Sequence, residues 1–182
     1  MTRTTPEEQG PLDRQSRALL RDYDAMRSEW TPRIEAEGMA ASRAFADAVF
    51  DRFRGPDRDI APAKVVDLAV PCGDGERSAR LYRPAIADGA PAPLALFLHG
   101  GGWSLGGIPA YDGLAGSLAA LSKIAILSLD YRLSPEHRFP DGLNDALCAL
   151  DWLHRHGASI GGDPDRLAVI GDSAGGNLAA VL

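Results

Sequence analysis

The sequence predicts an α/β protein: a doubly wound, mostly parallel sheet with helices on both faces, preceded by a separate layer of helices. Three observations carry this. From Leu94 onward, apolar runs of strand length alternate with stretches of helical periodicity. Two of those runs end in glycine, "FLHGGGWSLGG" at 97–107 and "VIGDSAGGN" at 169–177, and glycine there marks a backbone that must go where a side chain would obstruct it. Before Leu94 the apolar period changes from helical to alternating near residue 64.

Taken in order, residues 1–11 are a polar tail. Leu12, Leu19, Leu20, Tyr23 and Met26 recur at near-helical spacing, and Ile34, Phe45, Val49 and Phe53 repeat it. Thr31-Pro32 is expected to separate two helices within a layer spanning residues 12–54. "AKVVDLAVP" and "ERSARLYRP" read as strands joined by a hairpin at Cys72-Gly73-Asp74-Gly75, opening a second domain over 63–182. Then follow a strand "LALFLHG", a helix near "YDGLAGSLAALS" and a strand "IAILSLDYRL". A helix "DGLNDALCALDWLHRH" stopped by Gly157, a strand "RLAVIGDS" and a last helix "AGGNLAAVL" complete the series.

Composition narrows the function. A chain of 182 residues, 45% hydrophobic and 24% charged, is long enough for a real core and excludes a disordered or fibrous protein. A net charge of -6 without any Lys/Arg run argues against nucleic acid as a partner. Cys72 and Cys148 are too few for a disulfide framework, no Cys/His spacing fits zinc, and no metal is expected. A reducing compartment is the default. The N-terminal stretch has no apolar segment suited to a signal peptide, and no window approaches the roughly 18 apolar residues of a membrane span. The expectation is a soluble, cytoplasmic protein.

The glycine-flanked serine carries the chemistry. Gly171-x-Ser173-x-Gly175 falls where a strand turns straight into a helix, and a serine on so sharp a turn needs a strained backbone and tiny neighbours two residues either side. Its hydroxyl then stands clear of the sheet at a helix N-terminus, where N–H groups favour developing negative charge. An oxyanion formed there needs donors from a second loop besides the N–H of Ala174. The three glycines after His99 suit that task, with the N–H groups of Gly101 and Gly102 turned toward one oxygen. A phosphate loop is the alternative, but neither G-x-x-x-x-G-K-[ST] nor G-x-G-x-x-G fits residues 100–107.

"HGGGW", "DYRLSPEHRFP" and "GDSAGGN", in this order, closely resemble the bacterial hormone-sensitive-lipase-like branch of the α/β-hydrolases, from about Lys64 to the last residue. The resemblance implies a carboxylic ester hydrolase acting on a small-molecule ester through an acyl-enzyme, without a cofactor. Ser173 is then the catalytic nucleophile; Gly101, Gly102 and Ala174 form the oxyanion hole, and residues 12–54 belong to a cap. The family's triad acid and histidine follow the nucleophile, whereas the sequence ends at Leu182. The expectation is therefore an N-terminal part of an esterase, C-terminally truncated and inactive alone.

Other residues are read more plainly. Arg132 and Glu136 suit a local ion pair, and His137 suits a hydrogen-bonded loop residue. His99 is expected to brace the glycine loop, while His154 and His156 sit where helix C-capping is favoured. Asp172 points away from its neighbour Ser173 and is not a triad partner. Trp103 and Tyr111 either line the substrate site or pack in the core. A trypsin-like protease also carries "GDS", but its fold is all-β with His and Asp before Ser. The stronger alternative is a non-catalytic small-molecule binder on the same fold, as in plant gibberellin receptors.

Overall fold

Leu94, Leu96 and Leu98 alternate with Ala95 and Phe97 along one strand, and all five are buried. Side chains of a strand point alternately to opposite faces, so this strand must be covered on both sides. The computed structural model, which describes residues 12–53, 60, 62, 64–86 and 90–182, shows how. Helices α4 (Asp141–His156) and α5 (Ser173–Val181) cover the leucine face, contributing Ala146, Ala149, Leu153 and Leu178. Helix α3 (Ile108–Ser122) covers the other, with Tyr111, Ala115 and Ala119 against Ala95, Phe97 and Ile126.

The strands are β1 (Lys64–Cys72), β2 (Gly75–Arg83), β3 (Ala92–Leu98), β4 (Ala125–Leu129) and β5 (Gly162–Gly171), in the order β1-β2-β4-β3-β5. β2 is antiparallel to both neighbours, while β3 is parallel to β4 and β5. Four strands therefore run one way and β2 the other, which makes a mixed sheet of mostly parallel direction. Cys72 pairs with Gly75 around a two-residue turn, Gly73-Asp74, as the hairpin signal indicated. The tail expected over 1–11 lies outside the described residues.

The chain divides into two units, residues 1–49 and 50–182. In the first, helix α1 (Arg14–Glu37) runs straight through Pro32, contrary to the expected break at Thr31-Pro32. Proline removes one N–H, but the carbonyl it leaves unbonded belongs to exposed Ser28 and can be met by water. The break falls at Gly38, whose φ of 64° few other residues adopt, and α2 (Met39–Phe53) follows. Tyr23 and Trp30 of α1 both meet Phe45, with ring centroids 6.0 and 5.9 Å apart.

Two long-range ties in the second unit went unread in the sequence. Cys72 and Cys148, too few for a disulfide framework, are joined in a single disulfide between the end of β1 and α4, with Cα atoms 5.9 Å apart. Asp145, only 1% exposed, accepts from Arg77 Nε at 2.6 Å, from Arg132 Nη2 at 2.8 Å and from the Arg132 backbone N–H at 2.9 Å. Asp74 closes the cluster, meeting Arg77 at 2.5 Å and Arg132 at 2.8 Å. Arg132 is thus held by Asp145, 13 residues on, and by Asp74 in the hairpin turn.

Burial pushes the Asp145 carboxyl up, but the bonds from Arg132 and Arg77 outweigh burial and hold it below its ordinary value of 3.8. A depressed folded value gives stability that is complete above the unfolded value and lost as pH falls through the folded one. Resistance of the wild type to urea should therefore fall below about pH 4, and Asp145→Asn should flatten that part of the profile. Asp145→Ala, which strands Arg77, should cost about 3–5 kcal/mol at neutral pH.

Candidate active site

β3 and β5 are neighbours, yet the helices that follow them, α3 and α5, leave to opposite faces of the sheet. Their carboxyl ends therefore open a crevice at the point where an α/β sheet binds its ligands. The two strands finish level, Leu98 opposite Gly171. Both glycine-rich stretches of the sequence start at this crevice.

Ser173 is exposed at the first position of α5 with φ 49°, the left-handed conformation expected of a serine on a strained turn. Ala174 follows, buried within the first turn of the helix. The demand for small flanking residues is steric. A Cβ on Gly171 would lie 2.5 Å from the Gly175 carbonyl, and one on Gly175 would overlap the backbone oxygen of Leu98. The helix start and the end of β3 are in backbone contact.

The loop after β3 is built for a tight reversal. Gly101 has φ 121°, its carbonyl accepts from the N–H groups of Ser104 and Leu105 at 3.1 and 2.9 Å, and a Cβ would overlap the Leu105 carbonyl. Gly102, at φ 61°, faces open space, with nothing within 4 Å of where a Cβ would stand. Trp103 is also left-handed, at φ 58°, and its carbonyl accepts from Ser134 N–H at 2.8 Å. The segment "DYRLSPEHRFP" thereby buttresses the loop, and Tyr131 joins it by donating to the His99 carbonyl at 2.7 Å.

His99 is fully buried, stacked on Tyr131 at 4.3 Å, with Nδ1 2.8 Å from the Gly100 carbonyl. Burial lowers its pKa and keeps the ring neutral, which suits a brace. His137 lies on the exposed loop, with Nδ1 3.7 Å from Asp141. Asp172 accepts from Gly100 N–H at 2.9 Å and from Tyr111 OH at 3.1 Å. None of His99, His137 and Asp172 is thus paired with Ser173. His154 and His156 sit exposed in the last turn of α4.

Trp103 and Tyr111 part company. Trp103 is 47% exposed and borders a cavity of about 450 Å3 with Phe139, Leu143, Asn177, Leu178 and Val181. Asn177 lies one helical turn beyond Ser173. Tyr111 is a core residue, its ring 5.7 Å from that of Phe97 and 5.0 Å from that of Phe50. Among the described residues no group of His, Cys, Asp or Glu is placed to hold a metal ion. Sequence reading missed Asp145, although a carboxylate beside Ala146, Ala149 and Leu153 on the apolar face of a helix was a signal for a buried ion pair.

A sheet of this order, with a left-handed serine between β5 and a helix and a glycine loop after the adjacent strand, is the framework of an α/β-hydrolase. The comparisons agree: a family model described as "alpha/beta hydrolase fold" matches residues 95–182. The matched stretch is just under half of the chain, and the three motifs resemble the hormone-sensitive-lipase-like branch of that fold. The chain is 43% identical over 147 residues to the carboxylic ester hydrolase LipN of Mycobacterium tuberculosis, covering 80% of this chain and 38% of LipN. It is 42% identical over 123 residues to the ethyl acetate hydrolase of Pseudomonas putida, covering 66% of this chain and 39% of that protein.

Among solved structures, the Pyrobaculum calidifontis esterase superposes with a TM-score of 0.74 at 37% identity, over 79% of this chain and 46% of that one. An alpha/beta hydrolase enzyme from the metagenome of Lake Arreo, Spain, gives 0.82 at 35% identity, over 95% and 54%. The chain thus spans roughly half or less of each of these relatives.

Adjacent glycines at the start of α5 should respond differently to alanine. Gly175→Ala forces backbone against backbone and should destabilise by about 3 kcal/mol or more. Gly176→Ala meets only the Gly171 carbonyl at 3.2 Å and gains helix propensity, so it should change stability by less than about 1 kcal/mol. Thermal melts of the two variants compare them directly.

Proposed function

We propose that this chain carries the nucleophile and the oxyanion donors of a carboxylic ester hydrolase acting on small esters with short acyl chains. The observation that carries the reading is the meeting of two loops: the strained, exposed Ser173 and the glycine loop at 100–102 rise from strands that end level. The ester function printed in the names of LipN and the ethyl acetate hydrolase supports it.

In this mechanism the Ser173 Oγ attacks the ester carbonyl carbon. The N–H groups of Gly101, Gly102 and Ala174 donate to the oxygen that becomes negative. Collapse of the tetrahedral species expels the alcohol and leaves the acyl group on Ser173; water then attacks the acyl-enzyme and releases the acid. The serine proton passes to a general base, a histidine oriented by a carboxylate, and from it to the departing alkoxide; the same base takes a proton from the attacking water and returns it to Ser173, and the family resemblance puts both residues after the nucleophile in sequence. No step calls for a cofactor or metal. Residues 12–54 are taken as the cap that the resemblance implies.

Ser173→Ala in the whole protein should abolish hydrolysis of p-nitrophenyl butyrate and labelling by a fluorophosphonate, with the far-ultraviolet circular dichroism unchanged. Labelling that persists would move the nucleophile elsewhere.

No described helix is long and apolar enough to cross a membrane. The cytoplasm is proposed as the location; thiols are held reduced there, so the Cys72–Cys148 disulfide of the structure would be opened in the cell. Differential alkylation of the protein taken from cells tests this. Both cysteines should be modified without prior reduction, and a protected pair would assign the protein to an oxidising compartment.

A further inference from the structure

Asp172 occupies the N-cap position of α5, with extended backbone at φ -117° and ψ 151°. An aspartate there ordinarily accepts from the N–H groups of the first helical turn. Asp172 makes no such bond. Its carboxylate is turned out of the helix, with Oδ1 accepting from Gly100 N–H at 2.9 Å and Oδ2 from Tyr111 OH at 3.1 Å. One side chain beside Ser173 therefore grips both the loop after β3 and helix α3.

The glycine at 100 is shaped to this grip. A Cβ there would stand 2.6 Å from Asp172 Oδ2 and 2.8 Å from the Tyr111 hydroxyl. Burial first, and the Asp172 charge second, push the Tyr111 phenol up to about 12, so it remains a neutral donor. At the other end of the loop, Ser134 N–H holds the Trp103 carbonyl at 2.8 Å. Gly101 and Gly102 lie between these two clamps.

We propose that Asp172 is a positioning residue for oxyanion stabilisation, tying the glycine loop to the turn that bears Ser173 so that donors from two chain segments keep one geometry. This rests on the esterase reading above. An oxyanion hole works because its donors are aimed before charge develops, and donors on separate loops lose that aim when the loops drift apart. Asp172 does no proton transfer in this role, since both carboxylate oxygens are engaged away from the serine.

The test is a series in the whole protein, with active sites counted by fluorophosphonate titration. Asp172→Ala removes both acceptors; kcat for p-nitrophenyl butyrate should fall about 30–100-fold with KM within about threefold. Affinity for a trifluoromethyl ketone, which binds as the tetrahedral adduct, should fall in parallel. Asp172→Asn keeps a carbonyl oxygen for Gly100 N–H and should recover kcat to within about fivefold of wild type. Tyr111→Phe, which removes one donor only, should fall between them and serves if Asp172→Ala does not fold. Hydrogen exchange at the Gly100 amide, read by NMR, should be protected in wild type and in Asp172→Asn but fast in Asp172→Ala.

Exchange reports the tie without catalysis, so a wild type that hydrolyses no ester but protects Gly100 would sink the esterase reading while leaving the tie standing. Asp172→Ala with undiminished kcat and ketone affinity, or with Gly100 still protected, would overturn the positioning role.

Discussion

Everything at the candidate site depends on how closely the end of β3 approaches the first turn of α5. Strand pairing sets Leu98 level with Gly171, and the helix then starts so near that Gly175 leaves no room for a Cβ beside the Leu98 backbone oxygen. Because this is backbone against backbone, no rotamer change can relieve it. The approach brings the loop after β3 within hydrogen-bond reach of the turn after β5. The chain accepts left-handed conformations at Trp103 and Ser173 in return, each worth roughly 1–3 kcal/mol of strain, and they persist only because the surroundings fix them.

Those surroundings extend well away from the crevice. Ser134 holds the Trp103 carbonyl, and two residues earlier Arg132 is anchored to Asp145 in the second turn of α4. Asp145 in turn holds Arg77 of β2, and Asp74 in the hairpin turn meets both arginines. One buried carboxylate thus connects the sheet, a helix and the segment that braces the glycine loop. A hydrophobic residue of similar volume at 145 could support the packing, but it could not take the Arg132 N–H and guanidinium together. "DYRLSPEHRFP" is architecture in this sense: its polar residues set the position of a loop whose own residues are mostly glycine.

Much of this was legible because it is local. The 3.6 and 2.0 periodicities placed every described strand and helix of the second unit to within a few residues, and Gly157 ends α4 where the sequence indicated. Pro32 misled because the rule it invokes concerns a lost hydrogen bond, and on an exposed helix water replaces that bond. The sequence could not announce ties between residues more than 60 apart: Cys72 with Cys148, Arg77 with Asp145, Gly100 with Asp172. Their reach is set by sheet order, and nothing in the local pattern of β5 says that it lies beside β3 rather than β4.

The three glycines after His99 look like one motif but answer to three different constraints. Gly100 makes room for the Asp172 carboxylate and the Tyr111 hydroxyl, so its demand comes from other elements of the fold. Gly101 is required by its own loop, through a positive φ and the Leu105 carbonyl that folds back on it. Gly102 has no neighbour to collide with; what remains is its left-handed backbone and the open space in front of it. A side chain there would meet only whatever enters the crevice. Moving along the loop, the reason for glycine thus passes from packing, to the turn, to a left-handed backbone that faces open space.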